Sequence, residues 1–332
     1  MGAHTLHVYT PVGPLKMKWL VAVFAASIFV VDVYCADDTI PWCYHDPTCN
    51  DTTWPRIAAN FCNRSRQSPI NIDTRLVSVN TSLNDFVFIN YDNPSILDNI
   101  TNTGKTVKVN FKRGVQISGG GLSEPYDGLQ FHLHWGNLSN VPGAEHAVDG
   151  VRAPMELHIV HLKSRFEGNT TLAVADPTGL AALGFRIEVL PDTTGQPASW
   201  NTLTNYLRNI TLSGDIVNVT EGLSLNDLLV GVDRTEYYRY LGSLTTPNCH
   251  EAVVWTVFKD TIKISADLID KFSTMLHINN TIESPIMVNV FRQVQPALSV
   301  TTRANEPETD DAPQSLVSLG LLALCLVLGR SY

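Results

Sequence analysis

The residues best suited to chemistry stand in two short histidine-bearing stretches. In Gln130-Phe131-His132-Leu133-His134-Trp135, polar and apolar residues alternate. On a β-strand successive side chains point to opposite faces. Gln130, His132 and His134 therefore share one face, and Phe131, Leu133 and Trp135 the other. Two imidazoles on one face, two residues apart, can meet at one metal ion. A second stretch, Glu156-Leu157-His158-Ile159-Val160-His161, follows the same rule. There Glu156 and His158 point together and His161 points away. If the two strands pair, His158 completes a set of three nitrogens. Three neutral imidazoles leave a tetrahedral zinc one open position for water, the arrangement of a catalytic site. The bound water then has a pKa of ~7, so hydroxide is available at neutral pH. Ligand histidines usually donate their other N–H to a nearby acceptor. Gln130 and Glu156 each stand two residues before a histidine, on its face, to serve as that acceptor.

The elements that must hold these residues read as strands. Short alternating runs rich in Val, Ile, Phe and Thr recur at Phe86–Asn90, Thr106–Phe111, Leu129–Trp135, Glu156–Leu162, Leu180–Val189 and Glu251–Lys259. Helical segments are few and short: Trp200–Asn209, Ser224–Leu229 and Ser265–Leu276. No internal repeat or linker interrupts residues 41–298. The pattern predicts one β-dominated domain of mixed α+β class, with a few short surface helices. Residues 37–66, rich in Pro, Asn, Asp and Trp, read as an irregular arm of that domain. The domain proper is expected over 67–299, followed by a polar stalk over 300–315.

Both ends read as processing signals. Lys16 and Lys18 precede an apolar run from Trp19 to Val31, and Cys35 and Ala36 follow. Residues 1–36 are expected to be a secretory signal peptide, with Met17 as an alternative start. The run is too short for a ~20-residue membrane span. Residues 316–332 close with an apolar tail, Leu316–Leu328, after a polar spacer. That is the form of a GPI-attachment signal, with Asn305 and Asp310 as candidate attachment residues. Sequons begin at Asn50, Asn63, Asn80, Asn99, Asn137, Asn169, Asn209, Asn218 and Asn279, a density that fits the secretory pathway. Removal of Cys35 and Cys325 would leave Cys43, Cys49, Cys62 and Cys249, which allow three pairings; in an oxidising compartment two disulfides are expected. A net charge of -9 without any basic run argues against a nucleic-acid partner.

Four motifs, in order along the chain, give a resemblance. Q-S-P-I-N-I at Gln67–Ile72, Q-F-H-L-H-W-G at Gln130–Gly136, E-L-H-I-V-H at Glu156–His161 and G-S-L-T-T-P at Gly242–Pro247 closely resemble the α-class carbonic anhydrases. The cysteines and tail resemble the extracellular GPI-anchored branch. The resemblance spans about Pro41 to Leu298. It implies a large, mostly antiparallel twisted sheet with one zinc at the base of a cleft, and reversible hydration of carbon dioxide to bicarbonate and a proton by zinc-bound hydroxide. It makes His132, His134 and His158 the ligands. Gln130, Glu156 and the backbone near Val290 would be their acceptors, and His146 and Tyr240 would support Glu156 from behind. Thr245, with its carboxylate Glu145, would orient the hydroxide. Val160, Leu244, Val253 and Trp255 would form the apolar wall for carbon dioxide, with Ala182 where the family usually carries a larger aliphatic and Thr246 at the cleft edge. The implied disulfides are Cys62–Cys249 and Cys43–Cys49. The implied partners are carbon dioxide, bicarbonate and water, with bicarbonate transporters as candidate neighbours of a cell-surface monomer.

One position departs from the pattern. Lys105 falls where fast members carry a histidine that relays protons. A lysine with an ordinary pKa of ~10.4 is a poor relay at neutral pH, whereas histidine near ~6.5 is matched to it. Buffer-dependent turnover is expected. The rival readings are a non-catalytic adhesion or matrix module on the same fold, and a secreted zinc esterase.

Overall fold

The computed structural model describes residues 42–191, 196–220 and 222–304. The expected signal peptide and attachment segment lie outside these residues, as do Cys35, Cys325, Asn305 and Asp310.

The alternating stretches form strands. A hairpin of β1 (Leu97–Asn102) and β2 (Val107–Phe111) leads to the histidine-bearing pair β3 (Tyr126–Trp135) and β4 (Met155–Lys163). The centre is completed by β5 (Leu180–Val189), β6 (Tyr237–Gly242) and β7 (Val253–Phe258). Their spatial order is β1-β2-β3-β4-β5-β7-β6, within a sheet of 13 strands. Only β5 and β7 run parallel in this series; the other neighbours are antiparallel. The sheet is therefore mixed, with a parallel pair at its centre. Strands buried on both faces read as continuous apolar runs, and Leu180-Ala181-Ala182-Leu183-Gly184-Phe185 is such a run.

All nine residues of β4 are buried, so both faces are covered. On one face Phe131, Leu133, Trp135, Leu157, Ile159 and Phe185 join the main core. Helices α1 (Ala198–Asn205) and α2 (Ala266–Met275) supply Trp200, Leu203, Leu268 and Phe272 to the same core. Asp267 in the first turn of α2 complements the positive end of the helix dipole. The helix expected over Trp200–Asn209 starts two residues earlier and tightens into a 3₁₀ turn over Tyr206–Asn209. The short helix Leu225–Leu228 is closed by a capping box between Ser224 and Asp227.

Residues 300–302, expected to open the polar stalk, belong to the sheet instead. Val300 is buried, and Thr301–Thr302 forms a strand between β6 and Ser78–Val79. The N-terminal arm is held by a separate apolar cluster of Trp42, Trp54, Ala58, Cys62 and Cys249. The disulfides are Cys43–Cys49 and Cys62–Cys249. All described residues belong to one compact unit.

Candidate metal centre

The pairing register builds the centre. His132 on β3 lies directly opposite His158 on β4, His134 opposite Glu156, and Gln130 opposite Val160. The row continues across the sheet, from Val160 to Ala182, then Trp255, then Tyr240. Directly paired residues present their side chains on the same face. Gln130, the three histidines, Glu156, Val160, Ala182 and Trp255 are thus brought to one side.

Each histidine has one ring nitrogen engaged. His132 Nδ1 lies 3.0 Å from Gln130 Oε1. His134 Nδ1 lies 2.8 Å from the Val290 carbonyl, and His158 Nε2 2.8 Å from Glu156 Oε1. The Val290 carbonyl is set by two backbone bonds, from the Asn289 N–H to the Gly136 carbonyl and from the Val290 N–H to the Trp135 carbonyl. One nitrogen per ring remains, and in this trio the ligand atoms all fall within 4.8 Å of one another. His134 Nε2 is buried without a hydrogen-bond partner. An unsatisfied buried polar atom costs ~1–3 kcal/mol, and a metal ion would satisfy it. Burial lowers all three histidines. His132 is held well below its ordinary value, further depressed by the neighbouring imidazoles, and His134 falls to about 4. The rings are neutral at pH 7, as ligation requires. This donor set fits zinc.

Glu156 anchors the trio. Its Oε1 accepts from His158 and, at 2.6 Å, from His146 Nδ1; its Oε2 accepts from the backbone N–H groups of Glu145 and His146. Burial alone would raise this carboxyl, but His146 and His158 outweigh it and hold it well below the usual range. Behind it, His146 Nε2 lies 2.6 Å from the Tyr240 hydroxyl, which donates to Ser68 Oγ at 3.0 Å. His146, Glu156 and His158 form a second tight group, but its closeness is explained by these hydrogen bonds. A Cβ on Gly184 would lie 3.0 Å from Glu156 Oε1, so this strand glycine makes room for the carboxylate.

Glu145 accepts from the Arg292 backbone N–H through Oε1, while Oε2 is buried without a hydrogen bond, 3.4 Å from His134 Nε2. Burial raises its pKa, opposed by His158, Thr245 and the Arg292 N–H. Thr245 is thus near enough to act on the carboxylate, but Oε2 keeps no well-formed hydrogen bond. The Thr245 loop is clamped on both sides. Ser68 and Ser243 exchange bonds of 2.9 and 3.0 Å, the Leu244 N–H donates to the His250 carbonyl, and the Cys249 N–H donates to the Thr246 carbonyl. The Cys62–Cys249 bond ties that loop to the arm.

Ala182, Val253, Trp255 and Tyr240 belong to one buried cluster, with Leu244 packed on it. The Trp255 ring lies 4.7 Å from that of His158. Val160 is buried and Thr246 half-buried. Lys105 sits with its Nζ 4.3 Å from the centre of the Trp42 ring, on a cavity of about 160 Å³ also lined by Tyr44, His45, Asn279 and Val290. Ser68, Arg292, Gly184 and Trp42 were not predicted as site residues. Of these, a glycine inside a strand run is the one readable signal.

A sheet face with three converging, neutral, individually fixed imidazoles could hold one metal ion. Comparison with known proteins gives it a family. Residues 49–305 match the eukaryotic-type carbonic anhydrase family. The chain is 36% identical over 252 residues to carbonic anhydrase 15 of Mus musculus, covering 72% of this chain and 75% of that protein. It is 37% identical over 244 residues to carbonic anhydrase 4 of Oryctolagus cuniculus, covering 73% and 77%. With carbonic anhydrase 12 of Homo sapiens it shares 35% over 260 residues, covering 76% and 70%. The chain belongs to the eukaryotic-type carbonic anhydrase family.

Proposed function

We propose that this chain holds one zinc ion through His132 Nε2, His134 Nε2 and His158 Nδ1, and reversibly hydrates carbon dioxide to bicarbonate and a proton. The observation that carries the reading is the convergence of three neutral ring nitrogens, each on a ring fixed by a different acceptor. When bound, zinc supplies the Lewis acidity that brings the pKa of water to ~7.

The chain's own residues do the rest. Gln130, the Val290 carbonyl and Glu156 select the tautomers and raise the basicity of the rings they accept from. An ionised Glu145 can only accept, so it turns the Thr245 hydroxyl proton toward itself. The Thr245 oxygen then accepts from the attacking water and aims that water's lone pair at the substrate. Carbon dioxide offers no donor and is apolar, so Val160, Leu244, Val253 and Trp255 suit it as a wall. Ala182 widens that wall, and Thr246 borders it. Lys105 takes the place of a near-neutral base on the proton's way out, which makes external buffer the proton acceptor.

The same reading places the mature enzyme outside the cell. Two disulfides among the described residues suit an oxidising compartment. Residues 316–332 would provide the GPI signal, after cleavage of residues 1–36, leaving a cell-surface monomer near bicarbonate transporters. The metal assignment is tested by elemental analysis of the purified protein. One zinc per chain is expected, lost in His134→Ala. A well-folded parent protein that takes up no zinc would overturn it.

A further inference from the structure

Two of the nine sequons meet in space. Strand Ile216–Asn218 pairs antiparallel with β1, and its register sets Asn218 directly opposite Asn99. The flanking backbone bonds identify the kind of pair. The Val219 N–H donates to the Asp98 carbonyl, and the Asn102 N–H donates to the Asp215 carbonyl. These bonds fall on the residue pairs 219/98 and 215/102, so 218/99 is a pair without its own hydrogen bonds. In such pairs the Cα atoms approach to ~4.5 Å, the closer of the two antiparallel spacings. Both residues therefore present their carboxamides side by side on one face.

The two asparagines are not equivalent. Asn99 is half-buried between two strands. Its Nδ2 donates to Asp98 Oδ2 at 2.8 Å, and its Oδ1 accepts from Asn110 Nδ2 at 2.9 Å. Asn218 is exposed on the last strand at this end of the sheet, beside Ile216, which is 58% exposed. Among the described residues its side chain makes no hydrogen bond.

We propose that this pair carries a single N-linked glycan, on Asn218, and that the native fold excludes one on Asn99. In the modification Asn218 Nδ2 gives up one hydrogen and bonds to the anomeric carbon of an oligosaccharide, and a lipid pyrophosphate carrier leaves. A sugar ring with its hydroxyl groups is wider than the ~4.5 Å that separates the two Cα atoms of such a pair, so two cannot stand side by side. A glycan on Asn99 would also have to leave the Asp98–Asn99–Asn110 network and push outward past Asn218. The glycan on Asn218 covers the end of the sheet, where an exposed edge strand invites pairing with other chains.

The inference rests on the secretory placement proposed above. The test is glycopeptide mass spectrometry of protein secreted by a eukaryotic cell line, with enzymatic release in ¹⁸O-water to mark each formerly glycosylated asparagine. Asn218 is expected to be marked and Asn99 bare. In Thr220→Ala, which removes the sequon but keeps Asn218, the intact mass should fall by one glycan. Marking of Asn99, a bare Asn218 beside marked Asn137 or Asn169, or an unchanged mass in Thr220→Ala would overturn the assignment. If no sequon is marked, the secretory placement fails and this proposal falls with it.

Discussion

Replacing Glu156 by glutamine should disable the centre without touching a ligand. The carboxylate accepts four hydrogen bonds, two at each oxygen. An amide has one oxygen, so its NH₂ group must face two donors. If it faces the backbone N–H groups of Glu145 and His146, both are left buried and unpaired. If it faces the two rings, His158 can regain a bond only by moving its proton from Nε2 to Nδ1. That tautomer has no lone pair on the nitrogen that joins the trio. Loss of such a supporting acceptor typically costs 10–100-fold in metal affinity. The tautomer switch places this variant at or beyond the upper end, ~100-fold or ~2.7 kcal/mol. Each stranded donor adds ~1–3 kcal/mol of instability to the metal-free protein. Competition titration against a zinc chelator measures the first effect, and urea unfolding of the metal-free variant the second. A zinc affinity within a few-fold of the parent would refute the reasoning.

Three further outcomes follow from the same structure. Burial holds His161 at about 4 and His134 at about 4. The unfolded chain binds protons on both near pH ~6.5, so stability is full above that value and is lost as pH falls toward about 4, by ~3 kcal/mol for each residue. Denaturant midpoints of the metal-free protein across that window check this, and a flat profile would contradict it. The Cys62–Cys249 bond spans 187 residues; replacing both cysteines with serine should cost ~5 kcal/mol by the loop-entropy estimate, visible as a large fall in Tm. Lys105→His should raise turnover severalfold in dilute buffer and weaken its dependence on buffer concentration, because an imidazole titrates near neutrality; equal buffer dependence in both proteins would argue against Lys105 as the reason.

The histidine strands were legible because two constraints coincide in them. Alternation fixed which side chains share a face, and Gln130 and Glu156 marked that face as polar within a buried strand. The three-histidine set, the expected disulfides and the Glu156–His146–Tyr240 chain all have counterparts in the structure. Both β5 and β7 were legible as strands, but their parallel pairing was not, because side-chain pattern within a strand carries no sign of its direction relative to a neighbour. Arg292 was missed for a different reason. It serves Glu145 through its backbone N–H, a role any residue but proline could fill, so its side chain gives no signal. Trp42 meets Lys105 only because the arm folds back onto the β1–β2 hairpin, a contact across 63 positions. Residues 300–302 read as stalk, outside the domain, because their polar neighbours give no sign that Val300 is buried and that Thr301–Thr302 pairs with β6.

The central claim is a zinc-dependent hydration of carbon dioxide on this sheet face. Stopped-flow hydration by the purified protein, before and after chelation and again after zinc is restored, tests it most directly, with His132→Ala alongside. The account predicts activity that disappears on chelation, returns with zinc and is absent from the variant. Hydration that is undetectable in the zinc-loaded parent, or that persists in metal-free protein, would contradict it.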